Sequence, residues 1–202
     1  MKLTKMFGLV AVAALALMAF AGTASATTLK TNGVTQSGAV TLEGSLSGSA
    51  TLSDTSNTFA NTCKSSTVKG TTTVFTGTTV SGPIFDEVKE EKTIVGLSFG
   101  SCTHEKVVVD KGGSLSVEVI GSGPNGTVRS SGAEVTVPAT IGSSIITVNC
   151  KTSSTDLGTL TGTTSGTSTI HINAVLNCGF FLPSAKWVGT YNITGHSISV
   201  TS

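Results

Sequence analysis

The chain has 202 residues, 12 Lys and Arg against 11 Asp and Glu, and a charged fraction of only 11%. So small a net charge gives no electrostatic reason to hold nucleic acid or an anionic membrane surface, and nucleic acid is not an expected partner. A mean hydropathy of +0.30 and four cysteines are features that a solvated, disordered tail does not need, and the length suffices for one substantial domain.

At the N-terminus, Lys2 and Lys5 precede an uncharged apolar run from Met6 to Ala21, and Gly22, Thr23, Ala24, Ser25 and Ala26 follow. That order of basic, apolar and small residues is a helical secretory signal peptide over residues 1–26, cut before Thr27. The run is short of the roughly 20 apolar residues of a spanning helix, so no membrane insertion is expected once it is removed. Without Lys2 and Lys5 the chain carries a slight acidic excess. The expected location is secreted or otherwise extracytoplasmic, including the cell surface.

From Thr27 onward, β-branched Thr and Val favour pleated strands and the glycines supply turns. Apolar residues alternate with polar ones in Ser114–Val119, Ala133–Val137, Ile145–Val148, Thr169–Ile172 and His196–Val200, and a further strand is expected over Lys106–Val109. Beyond the signal no stretch has a 3.6-residue apolar period. The fold class is therefore all-β, an antiparallel sandwich or barrel.

The two cysteine pairs sit in similar contexts. Cys63-Lys64-Ser65-Ser66-Thr67 resembles Cys150-Lys151-Thr152-Ser153-Ser154, and each is followed by a Thr/Gly-rich stretch and an apolar run ending in a second cysteine, Cys102 or Cys178. This reads as two duplicated β-rich units, 27–120 and 121–202, packed as one domain. The repeat selects Cys63 with Cys102 and Cys150 with Cys178 among the three pairings that four cysteines allow, and export places them where disulfides persist. The spacings are far from those of a zinc site.

The first inter-cysteine stretch is the longer, by about the length of the charged segment near 83–92. Asp86, Glu87, Glu90 and Glu91 there are weak candidates for a calcium ion. The EF-hand spacing and its glycine are missing, and Lys89 and Lys92 lie among the acids, so a solvated loop is expected. Neither a metal nor a cofactor is expected.

Two catalytic-looking motifs fail on context. Gly96-Leu97-Ser98-Phe99-Gly100 fits G-x-S-x-G, but a nucleophile elbow needs a helix after it, and strand sequence follows here. Gly121-Ser122-Gly123-Pro124-Asn125-Gly126 fits G-x-G-x-x-G, but it leads into strand sequence and has the composition of a turn. His104, His171 and His196 are scattered, and His171 is out of phase with Ile170 and Ile172, a solvent-facing position. No catalytic residue is assigned and no enzyme is expected. A hydrolase would need one of these histidines beside a serine and a carboxylate.

The aromatic residues concentrate at Phe180, Phe181, Trp187 and Tyr191, with Trp187 and Tyr191 on one strand face. Core packing is the simplest reading, and a surface for a glycan or an apolar ligand is the functional one.

The signal, the Cys63 and Cys150 contexts, the Phe99-Gly100-Ser101-Cys102 run and the ending from Trp187 to Thr194 together resemble small exported Ser/Thr/Gly-rich bacterial proteins of the alkane-oxidation-activator-like kind. The resemblance implies an extracytoplasmic β-fold linked to biofilm or apolar-substrate contact, and it transfers no active-site residues. Two functions follow from the sequence. One is a non-catalytic surface or matrix protein that associates with cell-envelope material or with itself through open sheet edges. The other is an extracellular binding module for a carbohydrate or hydrophobic small molecule.

Overall fold

The segment Thr169–Leu176 shows how this sequence makes strands: Ile170, Ile172, Ala174 and Leu176 are buried, while His171, Asn173 and Val175 are exposed. A computed structural model describes residues 26–54, 59–72, 75–77, 80–84, 96–104, 106–141, 144–153, 155–180 and 182–202. Residues 1–25 of the expected signal lie outside them, as do Asp86, Glu87, Glu90, Glu91 and Phe181. The protein is all-β and antiparallel.

In chain order the strands are β1 (Thr27–Thr31), β2 (Val34–Thr35), β3 (Val40–Leu46), β4 (Ala50–Asp54), β5 (Ala60–Thr72) and β6 (Thr76–Gly77). Then come β7 (Val80–Ile84), β8 (Leu97–Cys102), β9 (Val108–Lys111), β10 (Ser114–Val119), β11 (Gly126–Ser131) and β12 (Glu134–Ile141). The last are β13 (Ser144–Lys151), β14 (Thr155–Thr161), β15 (Thr169–Leu176), β16 (Ala185–Thr194) and β17 (Ile198–Thr201). The strand expected over Lys106–Val109 starts at Val108 instead: a run of three valines carries no alternation to fix its phase, and Val107 is buried ahead of the strand.

Of the two architectures expected, the chain adopts the barrel. Strands β3, β5, β7, β10, β11, β14, β15 and β16 pair in that order, and β16 pairs back with β3. Closure removes the open edges of this sheet. The first four ring strands come from residues before 121 and the other four from residues after it.

Several ring strands continue past a short interruption into a lower tier. β3 and β4 act as one long strand broken at Ser47–Ser49, each pairing with β5 on one side and β16 on the other. β11 and β12 do the same around Gly132 and Ala133, flanked by β10 with β9 and by β14 with β13. The lower wall thus runs β4, β5, β8, then β9, β12, β13, and returns through the ends of β15 and β16. It has two thin seams. Between β8 and β9 there is no backbone ladder among the described residues. Between β13 and β15 the ladder is the single bridge Lys151↔Asn177, and the Cys150–Cys178 disulfide stands beside it. The other disulfide, Cys63–Cys102, joins residues directly opposite each other in β5 and β8. Both pairings are those the repeat selected.

The upper mouth is plugged by the two ends of the described chain. β1 pairs with β17, and Leu29, Ile198 and Val200 are buried. Ser168 fixes this ribbon by giving its hydroxyl proton to the Ile198 carbonyl and accepting the Ile198 N–H, both at 2.8 Å. The Val119 N–H donates to Thr27 Oγ1 (3.1 Å) and the Val200 N–H to the Pro124 carbonyl (3.0 Å). β1 turns into β2 through Asn32 and Gly33, both at positive φ, the two-residue turn whose twist suits a hairpin.

The outer wall is tiled with polar pairs, which is where the Thr and Ser content goes. Thr41 pairs with Thr71, Thr51 with Thr62, and Thr67 with Ser98 across neighbouring strands. Lys111, Glu134 and Lys151 form a charged row over β9, β12 and β13, and hydrogen bonds from the two lysines hold the Glu134 carboxyl below its usual range.

Candidate functional site

Inside the barrel, inward residues of β16 define three levels. Trp187 lines a lower cavity, Ile193 lines an upper one, and Tyr191 lies between them. The same order holds along β5, where Asn61 and Cys63 face the lower cavity, Val68 the upper, and Ser66 the level between. The Tyr191 hydroxyl donates to Ser66 Oγ at 2.9 Å, a buried bond spanning the two strands that flank β3. Burial pushes the Tyr191 phenol up to about 12, against a smaller opposing pull from the Ser66 bond.

The upper cavity, about 40 Å³, is closed off by Leu29 and Ile198 of the plug. The lower one, about 70 Å³, is walled by Leu52, Phe99, Val107, Val137, Leu176 and Trp187, and both disulfides touch it through Cys63 and Cys150. Phe99 and Trp187 meet edge to face, with centroids 6.1 Å apart. The cavity adjoins the β8–β9 seam, since Leu97 and Phe99 lie on one side of it and Val107 and Gly112 on the other.

Three polar side chains interrupt this apolar lining. Ser130 and Thr152 pair with each other (3.1 Å), and Thr152 also accepts the Ala133 N–H (3.0 Å). Asn61, only 2% exposed, is different. Its Oδ1 accepts the His104 N–H (3.3 Å) and the Thr103 hydroxyl (3.4 Å), while its Nδ2 has no hydrogen-bond partner among the described residues. A backbone N–H can only donate, so the His104 bond assigns oxygen and nitrogen in this amide without ambiguity.

The three described aromatics of the predicted surface, Phe180, Trp187 and Tyr191, do not form one exposed cluster. Tyr191 is buried and Trp187 half-buried, because their shared strand face points inward, whereas Phe180 is 93% exposed. Asn61 escaped the sequence reading, although it stands two residues before Cys63 and therefore on the same face of the strand. Ser98 of the G-x-S-x-G match sits mid-strand, its hydroxyl 2.7 Å from Thr67 Oγ1. The G-x-G-x-x-G match is the β10–β11 turn, closed by the Ile120 N–H on the Asn125 carbonyl. The His171 ring meets Thr190 (3.1 Å) and the His196 ring meets Asn32 (3.3 Å), both on the exposed surface. His104 is exposed, at the turn after β8.

Two disulfides fit an oxidising, extracytoplasmic setting, and no helix among the described residues is long and apolar enough to cross a membrane. No family model, curated protein or solved structure matches the chain.

Proposed function

We propose that this chain is an exported, non-catalytic binding protein that takes a small, slender apolar molecule into the lower cavity of its barrel. The observation that carries this reading is an apolar chamber inside the barrel, beside the seam between β8 and β9. Protein interiors are normally packed without such space, and ligand sites are concave, mostly apolar and equipped with few polar groups. Size sets the ligand's shape. About 70 Å³ is less than half the roughly 150 Å³ of an apolar cavity that takes benzene, so an unbranched alkyl end suits it better than a ring.

Trp187, the chain's one tryptophan, lies in the cavity wall and reports on occupancy. Titrating n-pentane in sealed cuvettes is expected to change Trp187 emission saturably, while glucose leaves it unchanged. Emission and calorimetry that both stay flat with n-pentane would sink the proposal.

A second reading, association with envelope or matrix material or with further copies of the chain, draws on one feature. Among the described residues, β13 pairs only with β12 from Ser144 to Asn149, and Ile145 on that stretch is 61% exposed. Sizing at rising concentration tests its self-association arm, which a monomer throughout removes, and co-sedimentation with isolated cell envelopes tests the other. In either case we take the two four-strand halves to be copies of one unit. Their matching pairings, β3 and β4 against β5 and β11 and β12 against β13 and β14, support that descent.

A further inference from the structure

We infer that the outer wall carries a second binding site near the plugged end, a polar cleft that takes a neutral saccharide of about one or two rings. It is separate from the lower cavity and does not depend on that cavity holding anything. The cleft has a volume of about 460 Å³, within the range of small-ligand sites. The wall strands give it Ser45 from β3 and Asn192 and Thr194 from β16. Ile193, between the last two, lines the upper cavity from within, so strand alternation turns Asn192 and Thr194 outward. Three connections at the rim supply Asn32, between β1 and β2, Thr167, between β14 and β15, and His196, between β16 and β17.

The rim is fixed before any ligand arrives. Asn32 Oδ1 accepts the Ser197 N–H (2.9 Å), and the Ser197 hydroxyl donates to the Gly166 carbonyl (2.8 Å), so one chain of bonds ties the three connections together. Preorganised walls lower the ordering cost of binding. Elsewhere on the outer wall, Thr41 and Thr71, Thr51 and Thr62, and Thr67 and Ser98 stand directly opposite each other and bond side chain to side chain. Ser45 and Asn192 are also directly opposite, yet neither side chain, nor that of Thr167, has a hydrogen-bond partner among the described residues. Two hydroxyls and an amide, each able to donate and to accept, are thus left to one cleft. The neighbouring hydroxyls of a sugar ring donate and accept in the same way. No Asp, Glu, Lys or Arg lines the cleft, so nothing there favours an ionised ligand over a neutral one.

The test follows the amide resonances of the isotope-labelled chain against glucose, N-acetylglucosamine and cellobiose, with glycerol as a control that offers hydroxyls without a ring. At least one sugar is expected to shift the Asn192 side-chain amide and the Thr167 and Gly195 backbone amides saturably, with Trp187 emission unchanged. Asn192→Val, which suits a strand, and Thr167→Ala, at an exposed position between strands, are each expected to weaken that sugar about threefold or more. If none of the three sugars moves those resonances, or if glycerol at equal hydroxyl concentration moves them as far, the saccharide site is wrong, and the lower cavity is untouched by either result. Shifts that appear while both variants keep the affinity of the unmutated chain place the sugar elsewhere and also overturn the site. Should Asn192→Val not fold, Thr167→Ala decides together with the resonances of the unmutated protein.

Discussion

Raising the pH past the tyrosine range titrates a single phenol in this chain, because Tyr191 is its only tyrosine. In the unfolded chain that proton leaves near pH 10, the ordinary value, whereas in the barrel burial raises the pKa to about 12. Between those values the unfolded state binds fewer protons than the folded one, so stability is full below about pH 10 and declines as pH approaches 12. Two pH units at about 1.4 kcal/mol each put the loss at about 2–3 kcal/mol. The assay follows tyrosinate absorbance together with far-ultraviolet circular dichroism, on the folded chain and in guanidinium. Tyrosinate is expected near pH 10 in guanidinium, and in buffer only near pH 12 or together with unfolding. Tyr191→Phe is expected to abolish the absorbance step and flatten its share of the stability decline. Half-ionisation near pH 10 in a chain whose dichroism is still native would refute the placement of Tyr191 between the two cavities.

Replacing Cys150 and Cys178 by alanine removes a loop closure worth roughly 3–4 kcal/mol by chain entropy, to be read as a lower guanidinium midpoint, with faster amide exchange in β13 than in β3. Gly158→Ala is expected to destabilise by more than about 2 kcal/mol in denaturant, because Gly158 has φ +156° in β14 and an added Cβ would overlap the His171 carbonyl oxygen. Leu176→Ala, inside the lower wall, is expected to cost about 2–5 kcal/mol and to enlarge the cavity enough for benzene to bind, which calorimetry against the unmutated chain measures.

Local periodicity carried far in this sequence, and contacts at long range did not. Thr169–Ile172 and Ser114–Val119 advertise strands because their side chains alternate, and the similar surroundings of Cys63 and Cys150 sufficed to match the cysteines. The closure of β16 on β3 was invisible: pairing Tyr191 with Leu46 leaves no mark on either segment, since a strand's alternation names its faces and not its neighbours. For the same reason, even spacing put Trp187 and Tyr191 on one face without saying whether that face is the lumen or the surface. Asn61 hid in plain composition, one polar residue in a Ser/Thr-rich strand, and only the Thr103–His104 turn, some forty positions away, gives its amide a fixed direction.

The thin join between β13 and β15 makes the chamber conditional. With Cys150 and Cys178 reduced, one backbone bridge among the described residues spans that part of the wall, and the seam on the β8–β9 side has no ladder among them to compensate. Forming that disulfide therefore joins β13 to the chain just after β15, beside the lower cavity that Cys150 lines, and reducing it loosens that join. The integrity of that wall is thereby tied to the redox chemistry of the surroundings.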